Sequence, residues 1–226
     1  SILFEQKVAQ AVQASGLPVP AVGEIIQVKG RNGLIYQRVD GRSMWETLRR
    51  QPWRLVSFAR RMAELHVALH AVAAPADFPD QRGRFQRRIQ QEGALPQDTR
   101  QQLLDLLERL PAEDRICHGD FHPGNILITA QDEVIIDWID VTRGSPLADL
   151  ARTSIIALGA AATQQVPQAW MKVILRLFHA LYLRRYFQLR PGGYEEYCHW
   201  LPVVAAARLA ENMPELEAWL VSQATK

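Results

Sequence analysis

Phe4, Val8 and Val12 recur on one face at helical spacing, which predicts a helix over Ile2–Ala14. "SGLPVP" ends it, because Gly16 can take the left-handed cap and Pro18 cannot continue the helix. Two β-rich runs follow, "EIIQV" and "LIYQRV", and Asn32-Gly33 between them predicts an antiparallel hairpin that turns there. "DGRSM" breaks the second run, and Ser43 suits the N-cap of a short helix. From Trp53 to Val72, a stripe of Leu55, Phe58, Met62, Leu65 and Leu69 predicts a buried helix. Helical stretches around Phe85 and from Asp98 to Leu110 come next, then short strands at "NILIT" and "EVIIDW" joined by "AQD". From Pro146 onward the pattern is helical, interrupted at "LRPGG" and "NMPE". No internal repeat is visible, and the mixture predicts an α+β fold.

Composition narrows the function classes. With 48% hydrophobic and 22% charged residues over 226 positions, the chain has material for a packed core. A formal charge of +2 gives no global field for a polyanion, and only "RGRFQRR" hints at nucleic acid, so no nucleic-acid partner is expected. Cys117 and Cys198 form no C-x-x-C pair, which argues against a disulfide framework or thiolate zinc site. The start lacks the pattern of a signal peptide, and the apolar stretches "SIIALGAAA" and "LPVVAAARLA" are too short or too charged to span a bilayer. A cytoplasmic protein without a membrane partner is the expectation.

The densest chemistry is "CHGDFHPGNILI", where polar residues crowd between apolar ones about to enter a strand. Asp120 lies on an irregular loop, Asn125 closes it, and Asp137 ends the neighbouring strand. A tight hairpin brings Asn125 and Asp137 together, and two oxygen ligands with room for water and phosphate suit Mg2+. Asp120 beside them can orient a hydroxyl and accept its proton. His66 and His70 share a helix with the buried stripe and read as structural, His70 being favoured near the helix C-terminus.

"HGDFHPGN" with "IIDWIDVTRGSPLADLA" resembles the aminoglycoside phosphotransferase and choline kinase-like family. "FEQKVAQAVQASGLPVP", "LIYQRVDG", "LHAV" and "LPVVAAARLAE" extend the resemblance over most of the chain. The resemblance implies a kinase-like fold, with residues 1–42 as a partial N-lobe of helix, hairpin and hinge, and 43–226 as a helical C-lobe carrying the catalytic and metal-binding loops. It implies an ATP- or GTP-dependent phosphotransferase acting on a small-molecule alcohol, with Asp120 as base and Mg2+ held by Asn125 and Asp137. Gln37 and Val39 would meet the adenine edge through their backbones, Leu127 and Ile136 would pack on the ring, and Glu5 on the first helix would serve the nucleotide by pairing with the family's phosphate-binding lysine. His118 is expected to hold the loop backbone, His122, Pro123 and Gly124 to shape it, and Asp149 to anchor it from within.

The sequence departs from the kinase-like pattern at its start, where neither a glycine-rich hairpin nor a lysine-bearing strand stands. A longer natural chain is therefore expected, with weak Mg-ATP binding by the sequence as given. A competing reading is a nucleotide-sensing or scaffold protein without catalysis. "IDW" replaces the D-F-G of protein kinases and no A-P-E segment follows, which points to a small-molecule substrate. Glu195, Glu196, Glu211, Glu215 and Glu217 could face a polycation, and Trp138, Tyr194, Tyr197 and Trp200 could cage a quaternary ammonium, but solvated faces and packing are the plainer roles.

Overall fold

The first helix, α1 (Ile2–Ala14), buries Val8, Ala9 and Val12, and the chain leaves it through Gly16 at φ +77°. This computed structural model describes residues 2–163, 166 and 168–226. Strands β1 (Val22–Val28) and β2 (Arg31–Tyr36) pair antiparallel, with Val28 opposite Arg31. The turn is therefore Lys29-Gly30, both at positive φ as a two-residue hairpin turn requires, and not Asn32-Gly33. Contacts at the base of the hairpin override the local signal: the Gln37 N–H donates to the Ala21 C=O at 2.7 Å, and the Gln37 side chain accepts from the Ala21 N–H at 3.1 Å.

The two-residue β3 (Arg42–Ser43) leads into α2 (Met44–Arg50), where the Ser43 hydroxyl accepts from the Glu46 N–H as a cap should. A single 3-10 turn precedes α3 (Leu55–Ala71), whose buried stripe is the one the spacing predicts. Helices α4 (Gln81–Gln91) and α5 (Gln97–Arg109) come before β4 (Arg115–Cys117), β5 (Ile126–Ile128), β6 (Glu133–Ile135) and β7 (Thr142–Gly144). The chain then runs through α6 (Pro146–Ala162), α7 (Ala169–Leu189), α8 (Tyr194–Leu209) and α9 (Pro214–Ala224).

The strands form three small sheets, β1-β2, β3-β5-β6 and β4-β7, set on a helical body, so the fold is α+β. Helix α3 packs on α7, α6 on α7 and α8, and α8 on α9, around Trp200, Tyr182, Tyr186 and Phe58. Each such side chain contributes roughly 1.5–3 kcal/mol by leaving water. A second cluster joins Val8 and Val12 of α1 to Leu69, Phe78, Ile116 and Val141, which seats α1 on the helical body. The Ile135 N–H also donates to the Pro18 C=O at 2.7 Å, fixing the segment after α1 against β6.

Candidate active site

The loop between β4 and β5 is held from below by the first turns of α6. Asp149, 1% exposed, accepts from the N–H groups of His118 at 2.7 Å and Gly119 at 2.9 Å. Arg152, one turn on, donates to the Gly119 carbonyl, and the Thr153 hydroxyl donates to the Phe121 carbonyl at 2.9 Å. One helix face thus satisfies backbone groups of three loop residues, His118, Gly119 and Phe121, as buried peptide groups require. Gly119 sits at φ +79°, and a Cβ there would lie 2.3 Å from the Asp140 carbonyl oxygen, so only glycine fits.

Asp149 is itself held by α3. The Nε2 atoms of His66 and His70 donate to its Oδ2 at 3.1 and 3.2 Å, and their Nδ1 atoms accept from the hydroxyls of Tyr182 and Tyr186 at 2.5 and 2.7 Å. The knot is closed: each imidazole nitrogen has a partner. Burial works to raise the Asp149 carboxyl, but these histidine bonds outweigh it and hold the group well below the usual carboxylate range. Burial brings His66 down to about 3, so both rings are neutral donors. His70 is therefore a buried strut, and the favourable helix end expected for it is not what fixes it.

Above this base the polar residues of the motif meet. The Asn125 side-chain NH2 donates to both the Asp120 carbonyl at 2.9 Å and its Oδ2 at 3.0 Å, leaving the amide oxygen of Asn125 for another partner. His118 bridges the loop to the strand beside it, accepting from the Asp120 N–H at 3.2 Å and donating to the Ile136 carbonyl at 3.1 Å. His122 accepts from the Gly124 N–H through Nδ1 at 3.0 Å, which directs its Nε2 proton to Asp120 Oδ2, 3.4 Å away. A Cβ on Gly124 would meet the His122 ring at 2.7 Å, so a side chain there would push the imidazole from its place. Burial works to raise the Asp120 carboxyl, but the His122 bond and the Arg152 charge prevail and bring it to about 2.

Asp137 follows β6 in the left-handed region at φ +67°, an uncommon state for a residue with a Cβ. The Ile136 N–H donates to the Asn125 carbonyl at 3.0 Å, so Asp137 is one residue from the backbone of Asn125. It lines a cavity of about 300 Å3 with Glu5, Gln37, Val39, Leu127 and Ile136. All five residues expected at the nucleotide thus share one cavity with an expected metal ligand. Pro20, Tyr36, Trp138 and Ile139 complete the lining. The Tyr36 hydroxyl donates to Glu5 at 3.1 Å, and burial, then the Glu5 charge, push it up to about 12.

The polycation and ammonium readings fare differently. Trp200 and Tyr197 are buried in the core, whereas Trp138 stands in the cavity with its ring 4.6 Å from that of His118, so the four aromatics form no cage. Glu211 is engaged by Arg152 at 2.7 Å, Arg88 at 3.1 Å and Arg208 at 3.7 Å. The strands β3, β4 and β7, and the supporting roles of Arg152 and Thr153, were not legible in the sequence. The spacing Asp149, Arg152, Thr153 on one helix face was the available signal.

No helix among the described residues is long and apolar enough to cross a membrane. No curated protein matches the chain. Among solved structures, a thermostable variant of aminoglycoside phosphotransferase APH(4)-Ia, in ternary complex with ADP and hygromycin B, is 16% identical with a TM-score of 0.68, covering 97% of this chain and 80% of that one. Amicoumacin kinase hAmiN, in complex with AMP-PNP, Ca2+ and Ami, is 14% identical with a TM-score of 0.63, covering 98% and 75%. A choline/ethanolamine kinase family protein from Mesorhizobium loti is 19% identical with a TM-score of 0.57, covering 96% and 76%. These likenesses establish a kinase-like fold. The model of the family described as "Phosphotransferase enzyme family" matches residues 1–200, and the chain belongs to that family.

Proposed function

We propose that the protein transfers the terminal phosphoryl group of ATP to a hydroxyl of a small molecule. The observation that carries this reading is the Asn125 side chain bonded to Asp120, with Asp137 next to the Ile136–Asn125 backbone bond and lining a cavity whose residues suit a nucleotide base. Leu127 and Ile136 offer the apolar faces for the ring, and Gln37 and Val39 the backbone edge. Glu5, bonded to Tyr36, lies at the same cavity. The ADP and AMP-PNP bound by structural relatives support ATP as the donor.

Asp120 is ionised at neutral pH, so it accepts a hydrogen bond from the acceptor hydroxyl and aims its oxygen at phosphorus. As the new O–P bond forms and the bond to the leaving ADP oxygen breaks, the hydroxyl proton becomes acidic enough to pass to the carboxylate. Asn125 through its amide oxygen and Asp137 through its carboxylate are hard oxygen donors and fit Mg2+. The ion would supply neutralisation of the phosphate charge. A screen with γ-labelled ATP against alcohols, amino alcohols, sugars and aminoglycosides tests the proposal. Label in at least one acceptor is expected, and ATP binding with no transfer to any of them would favour a nucleotide sensor instead.

A further inference from the structure

A second cavity, of about 230 Å3, lies on another side of the catalytic loop and has no part in the nucleotide reading. Ile156, Ala157 and Ala160 of α6 line it, with Trp45 of α2, Leu175 of α7 and His122 of the loop. His122 is also the residue whose Nε2 faces Asp120 at 3.4 Å. A single imidazole therefore connects this apolar cavity to the carboxylate read as the base. Arg152 lies one helical turn before Ile156, so the same side of α6 runs from the loop anchor into the cavity.

The lining of the cavity disfavours a polycation. No carboxylate is among the described residues lining the cavity. Apart from His122, every described lining residue is apolar or glycine, so a cation would lose its hydration with no partner to replace it. The volume falls below the roughly 300–1,000 Å3 of pockets for drug-sized ligands, which suits one ring or a short alkyl chain.

Building on the phosphotransferase reading, we propose that the acceptor is a neutral alcohol whose apolar body fills this cavity and so brings its hydroxyl to Asp120. The test measures dissociation constants of 1-butanol, 1-hexanol and 1-octanol by ligand-observed NMR on the protein with Mg2+ and AMP-PNP. Affinity should rise about fourfold per methylene until the cavity is full. Ala157→Leu, which occupies the cavity, should weaken hexanol binding at least tenfold with AMP-PNP affinity unchanged. Ala160→Leu serves as a second variant, and a thermal melt verifies that each is folded. Affinity independent of chain length, or insensitive to both variants, overturns the proposal. Transfer from ATP is read in parallel with kanamycin as the polycation. Flat binding with transfer to kanamycin defeats this proposal alone. Chain-length-dependent binding with no transfer to any hydroxyl defeats the phosphotransferase reading, and the acceptor role with it.

Discussion

Two segments flanking the cavity proposed for the nucleotide, the β1-β2 hairpin and the loop between β4 and β5, are built in opposite ways. On the hairpin side, Ile26, Val28 and Ile35 are 39%, 53% and 43% exposed, and polar ties gather near the base, from Gln37 to Ala21 and from Tyr36 to Glu5. On the loop side, residues 118 to 121 hang on α6 through Asp149, Arg152 and Thr153, and Asp149 hangs on α3 through two histidines. Few buried contacts mean that a segment opens at low free-energy cost, whereas the loop opens only when its polar core does. The difference suits the proposed site, which would adjust to a nucleotide on one side and hold reacting atoms still on the other.

The comparison breaks most visibly at Asp149. Asp149→Ala leaves His66, His70 and two loop N–H groups without their acceptor, and should cost about 3–5 kcal/mol in urea unfolding. A loss below about 1 kcal/mol would show that the loop is not anchored there. At the rim, Asp137→Asn keeps a residue tolerant of the left-handed backbone but removes the charge. The Mg2+ concentration needed for half-maximal transfer should rise roughly 10- to 100-fold, the range seen when support for a bound metal is lost. An unchanged requirement would remove Asp137 from the ligand set.

Acid should separate the two segments next. His66 and His70 are depressed in the fold by burial, His66 from 6.5 to about 3, so the unfolded chain binds more protons between those values. Stability is therefore fully present above about pH 6.5 and is lost progressively as pH falls toward 3. Thermal midpoints across that window should drop, and His66→Gln should flatten the slope. The smallest effect belongs to the hairpin. Ile35→Thr, on an exposed strand face, should shift unfolding by no more than about 0.5 kcal/mol, and a larger loss would mean that this segment is more firmly packed than its exposure indicates.

What could be read from the sequence follows the same division. The long helices were visible because their apolar stripes repeat over several turns, as in Leu55, Phe58, Met62, Leu65 and Leu69. Asp120, Asn125 and Asp137 stood out because a polar cluster between apolar strands has few other uses. The hairpin turn was misplaced because Asn32-Gly33 is locally the stronger turn pair, while the register is set by Ala21 and Gln37, outside the turn. Strands β3, β4 and β7 have two or three residues each, too few to show alternation. Arg152 and Thr153 act through backbone atoms of a loop about 30 residues away in sequence, a contact that no local pattern encodes.

Asp120 is where the account is most exposed to contradiction. Single-turnover transfer of phosphate from Mg-ATP to the best acceptor, compared between the natural residue and Asp120→Asn, addresses it directly. Asparagine preserves size and the bond to Asn125 but accepts no proton, so the rate should fall about 10^2- to 10^4-fold with ATP affinity little changed. A rate within about threefold of the natural protein would contradict the assignment of this loop as the catalytic centre.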